Sequence, residues 1–264
     1  MIYMMKKWFV KRRWWAWLLG SLLGLLVVAG TGFVIWASAA AQPQPEALQA
    51  LQSDDQVTVT ADKWYIFEPA DKRQRPPVGF IFYPGGRVDA QAYAPEARAI
   101  AAEGYFVVIV PMPLNLAVLS PNRASQVIAA FTDVGQWVVG GHSLGGSMAA
   151  SFAYEQPDEV DGLVLWASYP ADWHDLSERT ELEVATIYGT LDGLATVEQI
   201  EELAYLLPPQ TVWVPIEGGN HAQFGWYGPQ RGDLPATISH SAQSAQVVAA
   251  TLDLLARVAD GGAR

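Results

Sequence analysis

Three short segments of the 264-residue chain carry side chains that can cooperate in nucleophilic chemistry. The first, Gly141-His142-Ser143-Leu144-Gly145, has a serine with a glycine two positions to either side. Residues 136–139 before it read as a short buried strand, and residues 147–153 after it as a small-residue helix. A serine on so sharp a strand-to-helix turn projects its hydroxyl clear of both elements, and the flanking glycines avoid clashes. A hydroxyl is a weak nucleophile until a neighbouring base takes its proton. Of the four histidines, His142 adjoins the serine and is expected to point away across the turn, and His174 and His240 have no strand directly before them. His221 lies in Glu217-Gly218-Gly219-Asn220-His221, just after the strand-like residues 211–216, and is the candidate general base. Asp192 follows the strand-like residues 184–188 and is the candidate carboxylate that orients the histidine; Asp172, Asp175 and Glu217 are lesser candidates.

Attack by such a serine on an acyl group creates an oxyanion that needs N–H donors. The expected donors are the amide of Leu144, at a helix start, and those of Gly86 and Arg87 in Pro84-Gly85-Gly86-Arg87, after strand-like residues 78–83. Met112, Leu114, Tyr169, Trp173, Phe224 and Trp226 sit in loops that follow strands or the histidine, and are expected to wall an apolar substrate site suited to an acyl chain or aryl ester. This chemistry requires no metal or organic cofactor.

Something must bring these loops together. Strand-like runs occur at residues 57–60, 64–67, 78–83, 105–110, 136–140, 162–167, 184–188 and 211–216. Helical patterns lie at 92–103, from Ser120-Pro121 onward, and at 196–207 and 241–258. Several strands are apolar on both faces and alternate with helices, which predicts an α/β fold with a doubly wound, mostly parallel sheet over residues 57–264. In such a sheet a ligand site lies beyond the carboxyl ends of the strands, where Ser143, Asp192 and His221 are all expected.

Composition narrows the function further. There is no cysteine, so disulfide scaffolds, cysteine-bound metals and cysteine nucleophiles are excluded. The net charge of −11 conceals a division, because Lys6, Lys7, Lys11, Arg12 and Arg13 precede an acidic remainder of 11 basic and 27 acidic residues. So acidic a body excludes nucleic acid as a partner. Residues 14–37 carry no charge, and as a helix Trp15 to Trp36 spans about 31 Å, the thickness of a bilayer core. Basic residues before it and tryptophans at both ends predict a membrane anchor with residues 1–13 cytoplasmic and the body outside. A cleaved signal is the competing reading, since Ala37-Ser38-Ala39 and Ala39-Ala40-Ala41 fit the cleavage pattern, although the apolar run exceeds the ~7–15 residues of a signal core. Gly20 and Gly24 form a G-x-x-x-G pair through which two such helices can pack as a weak homodimer. Residues 38–56, with Gln42-Pro43-Gln44-Pro45, read as a polar tether.

The segments Pro84-Gly85-Gly86, Gly141-His142-Ser143-Leu144-Gly145-Gly146, Tyr188-Gly189-Thr190-Leu191-Asp192 and Gly218-Gly219-Asn220-His221, with the order serine, aspartate, histidine, resemble the α/β-hydrolase superfamily. The likeness is to its small, nearly capless branch that includes dienelactone-hydrolase-like enzymes. Dienelactone hydrolases themselves use a cysteine, absent here, and Pro84 replaces the histidine frequent in that loop. The resemblance implies attack by serine to give an acyl-enzyme on a carboxylic ester or thioester. Acyl transfer to another acceptor, or a non-catalytic membrane-tethered binding protein on the same fold, are the alternatives.

Overall fold

The computed structural model describes residues 2–71 and 78–261, and the side chains from Trp14 onward within them. The basic cluster of residues 1–13 lies outside the described side chains. The chain divides into two units, Met1–Ala39 and Ala40–Arg264. The first is a single helix, α1 (Ile2–Ser38), whose stretch Trp14–Ser38 is long and apolar enough to cross a membrane and includes Gly20 and Gly24.

The second unit is built on one eight-stranded sheet. Its strands are β1 (Val57–Ala61), β2 (Tyr65–Pro69), β3 (Val78–Tyr83), β4 (Phe106–Ile109), β5 (Gln136–His142), β6 (Gly162–Trp166), β7 (Glu183–Gly189) and β8 (Val212–Ile216). They are ordered β1-β2-β4-β3-β5-β6-β7-β8. β1 and β2 pair antiparallel at one edge, β2 also pairs antiparallel with β4, and the pairs from β4 through β8 are parallel. The fold is the expected α/β fold with a mostly parallel sheet.

Alternation along the strands divides the core into two layers. Phe80 and Phe82 of β3 join Trp166 and Ile187 on one face, where α3 (Ala94–Ala102) and α7 (His240–Gly261) pack through Ile100, Leu254 and Leu255. Ile81 and Tyr83 point to the other face, against Val127 of α4 (Ala124–Ala130) and Phe152 of α5 (Leu144–Glu155). Helices on both faces explain why the central strands are buried throughout.

Local differences from the sequence reading have identifiable causes. The expected helix start at Ser120-Pro121 is a short 3-10 turn, and α4 begins only at Ala124. The Ala124 N–H donates to the Tyr83 hydroxyl at 2.7 Å, so a tyrosine at the end of β3 caps this helix in place of Ser120. Expected as one helix, residues 196–207 form α6 (Val197–Glu202), started by a Thr196–Gln199 capping box, and then a 3-10 turn. Residues 40–56, expected as a tether, belong to the second unit and contain α2 (Pro45–Ala50) with Ala47 and Ala50 buried. The Ala41 N–H donates to Arg87 O at 2.7 Å, Asp89 N–H to Ala41 O at 3.0 Å, and Gln44 N–H to Trp226 O at 2.8 Å. Backbone pairing therefore straps residues 41–44 across the loops that follow β3 and His221.

Beneath that strap α3 buries a carboxylate, Glu96. Its Oε1 accepts from Trp226 Nε1 at 2.8 Å and Ser244 Oγ at 2.6 Å, while its Oε2 is buried without a partner. Burial pushes Glu96 up to about 7, against the partial relief of those two bonds. A carboxyl raised on folding favours the folded state while protonated, so its contribution is full below its unfolded value and is lost as pH rises toward 7. Relative to wild type, Glu96→Gln is expected to gain about 3 kcal/mol between pH 4.5 and 8, since each pKa unit is worth about 1.36 kcal/mol. Thermal denaturation of both proteins across that range checks it; parallel Tm profiles would refute it.

Candidate active site

The parallel strands end together, and the loops that follow β3, β5, β6, β7 and β8 meet at that edge. Ser143 stands between the last residue of β5 and the first of α5, with φ 53° and ψ −124°. A non-glycine residue in this region is strained, by about 1–3 kcal/mol, and must be held there by its surroundings. Its N–H donates to Trp166 O at 3.0 Å, and Ser168 Oγ donates to its carbonyl at 2.7 Å. Gly145 shows why small residues flank it: a Cβ there would lie 2.2 Å from Tyr83 O and 2.3 Å from Pro84 O. At Gly141 a Cβ would meet Gly145 and Tyr83 O at 2.6 Å. The first turn of α5 thus presses on the ends of β3 and β5, which lifts the serine to the top of the sheet.

Asp192 and His221 form a buried pair, with side-chain exposures of 0% and 1%. His221 Nδ1 lies 2.8 Å from Asp192 Oδ2, and Asp192 Oδ1 accepts the amides of Leu194 at 2.8 Å and Ala195 at 2.7 Å. A carboxylate in that position accepts a hydrogen bond from Nδ1–H, which keeps the proton on Nδ1 and leaves a lone pair on Nε2. His221 Nε2 has no hydrogen-bond partner, so the bond to a serine hydroxyl is open in this state; such bonds often tighten only with substrate bound. Ser143, Leu144 and His221 line one cavity of ≈ 410 Å³, together with Ser147, Ser168 and Gln230. Asp172, Asp175 and Glu217 are exposed at the surface.

Of the expected oxyanion donors, Leu144 is the first residue of α5, where an amide has no intrahelical acceptor. Gly86 abuts it, since a Cβ on Gly86 would lie 3.0 Å from Leu144 Cδ2. Arg87 departs from expectation. Its amide donates to Asn115 O at 2.7 Å and is already committed. The backbone at Arg87 is left-handed, with φ 59°.

His142 is outside the cavity lining but is packed against the pair. Its ring is buried 4.5 Å from that of His221, and stacks on Phe224 at 5.7 Å. Tyr93 Oη accepts the Gly85 amide at 3.0 Å and is hydrogen-bonded to His142 Nδ1 at 2.9 Å. Burial, and then the charge of His221, hold His142 well below the usual histidine range, so it stays neutral beside His221. A link therefore runs from the loop after β3, through Tyr93 and His142, to His221. The remaining histidines lie elsewhere: His174 sits 3.4 Å from Ser151 Oγ, and His240 stacks on Trp226 at 3.9 Å.

The expected aromatic walls are largely absent from the cavity. Tyr169 lines it. Met112 is buried in the core layer that holds α4 and α5, and Leu114 lies in a 3-10 turn at φ 52° outside the lining. Trp173 is 73% exposed, Phe224 is buried against His142, and Trp226 is bonded to Glu96. Phe224 and Trp226 tie their loop to its neighbours. Ser147, Ser168 and Gln230 face the cavity together with the aliphatic Ala167, Leu194 and Ala195, and no sequence pattern marked them.

A family model described as the alpha/beta hydrolase family matches residues 79–245. No curated protein matches the sequence. Among solved structures, a putative hydrolase from Agrobacterium vitis is similar at TM-score 0.52 and 16% identity, over 75% of this chain and 97% of its own. A predicted CIB-like hydrolase from Thermoplasma acidophilum is similar at TM-score 0.52 and 16% identity, over 76% and 99%. The esterase domain of a Rhodothermus marinus protein is similar at TM-score 0.51 and 13% identity, over 77% and 97%. At these identities the likeness is one of fold.

Proposed function

The chain belongs to the alpha/beta hydrolase family, and from that membership we propose that it is a serine hydrolase acting on a carboxylic ester or thioester through an acyl-enzyme. One observation carries this reading: His221, buried against Asp192, lines the same cavity as a serine held on a strained turn at the start of α5. In this scheme His221 Nε2 removes the Ser143 proton as Oγ attacks the acyl carbon. The amides of Leu144 and Gly86 receive the oxyanion, and His221 returns the proton to the leaving alcohol or thiol. Water then repeats the sequence in reverse, with His221 again as base, and releases the acid. Asp192 keeps the histidine in the Nδ1–H tautomer throughout. A cavity of ≈ 410 Å³ whose wall combines the apolar Leu144, Leu194 and Ala195 with Ser147, Ser168 and Gln230 favours a short, uncharged acyl group over a long chain.

The reading includes a location. With its basic residues before an uncharged span, α1 holds the catalytic unit on the outer side of a membrane. The experiment is made on the full chain in detergent micelles, with p-nitrophenyl esters and matching thioesters from acetyl to decanoyl, alongside titration with a fluorophosphonate. Expected results are stoichiometric labelling that eliminates turnover, and faster turnover of the shorter acyl groups. Failure of the protein to label or to turn over any ester would refute hydrolase activity and support a non-catalytic binding role.

A further inference from the structure

The carboxylate of Asp233 is not part of the catalytic scheme, yet it bonds to both loops that carry the Asp192–His221 pair. It lies in the irregular segment between His221 and α7, three residues beyond Gln230 of the cavity wall. Its Oδ1 accepts the amide of Gly193 at 3.1 Å, that of His221 at 3.2 Å and that of Leu234 at 2.9 Å. Oδ2 accepts the amide of Ala222 at 2.8 Å. Gly193 directly follows the orienting aspartate, and His221 and Ala222 are the base and its neighbour.

We infer that Asp233 is a positioning residue that clamps the aspartate loop and the histidine loop together, so that Asp192 and His221 keep their mutual geometry. This rests on the serine hydrolase reading of the same site. The physical reason is that both loops follow different strands, β7 and β8, and their backbones have amides that no strand pairing satisfies. A single carboxylate with two oxygens can accept from both loops at once, and four converging N–H donors fix its position as well as theirs. Close packing supports the same junction: a Cβ on Gly193 would lie 2.6 Å from Gly232 O. Asn220 Nδ2 donates to Leu234 O at 2.7 Å, which ties the histidine loop to the residue after Asp233. Asp233 is not itself among the residues that line the cavity, and it meets the lining residue His221 only at the backbone amide, so it acts through the pair and not on substrate.

The test compares Asp233→Ala and Asp233→Asn with wild type in the full chain. Because an error of about 1 Å in a catalytic group costs on the order of 10²-fold, Asp233→Ala is expected to lower kcat by about 10–100-fold with KM changed less than about 2-fold. Asparagine retains one acceptor oxygen and is expected to recover part of that loss, and it serves as the variant if alanine prevents folding. Amide hydrogen exchange supplies a second readout that needs no activity. Peptides covering residues 189–195 and 219–224 are both expected to lose protection in the variants. Wild-type kcat in Asp233→Ala, or unchanged protection in either peptide, would overturn the clamp. If the wild-type chain hydrolyses no ester, the hydrolase reading fails, and the exchange measurement still decides whether Asp233 joins the two loops.

Discussion

Ser143→Ala is expected to abolish fluorophosphonate labelling and to lower kcat for a short-chain ester by about 10⁴–10⁶-fold, the range seen when the nucleophile of such a triad is removed. The loss is so large because the remaining groups can only stabilise a transition state reached by water, with no acyl-enzyme to divide the reaction into two easier steps. Stability should respond differently. Ser143 sits at φ 53° and ψ −124°, and alanine bears the same backbone strain, so the Tm of Ser143→Ala should stay near wild type. Glycine adopts positive φ freely, and Ser143→Gly, equally inactive, is expected to gain about 1 kcal/mol or more from the released strain. Inactivity together with raised stability would mark a position where geometry is held for chemistry at a cost to the fold. Full activity in either variant would eliminate Ser143 as the nucleophile.

Asp192→Asn is expected to lower kcat by about 10⁴-fold while leaving the fold intact. The side-chain oxygen of asparagine can still accept the Leu194 and Ala195 amides that Asp192 Oδ1 accepts now. Its NH2 group then faces His221 Nδ1, 2.8 Å away in the native pair, and donates where the carboxylate accepts. Such an exchange forces the histidine proton onto Nε2, the atom that must take the serine proton. The base is then present, positioned and in the wrong tautomer. KM should change little, because Asp192 is not among the residues that line the cavity. Steady-state kinetics with thermal denaturation as a control would check it; a variant with native kcat would assign the orienting role to another acid.

The triad candidates were legible because each directly follows an apolar strand. In a parallel sheet the carboxyl ends of the strands share one edge, so position after a strand translates into proximity in space. Ser143 after β5, Asp192 after β7 and His221 after β8 follow that rule. The glycines at 141 and 145 were legible for a related reason, since the turn they flank has no room for a Cβ. Arg87 was misread because its amide is claimed by Asn115 in a loop after another strand, a pairing that no local pattern announces. The aromatic residues were misread in the same way: whether Trp226 faces a cavity or a carboxylate depends on Glu96, 130 positions away.

Residues 40–56 make the point at the boundary between the two units. Their glutamines and prolines read as a tether, yet Ala41 and Gln44 find backbone partners in the loops after β3 and His221, and Ala47 and Ala50 are buried.

By itself the sequence determined the α/β fold, the apolar N-terminal helix, the absence of cysteine chemistry and the candidate serine, aspartate and histidine. These follow from hydrophobic period, strand order and steric demand, which act over a few residues. Only the tertiary structure decided the walls of the cavity, the neutral His142 beside His221, the commitment of the Arg87 amide and the junction at Asp233. Each of those depends on which hydrogen-bonding groups distant loops leave unsatisfied, and that is settled only when the loops meet.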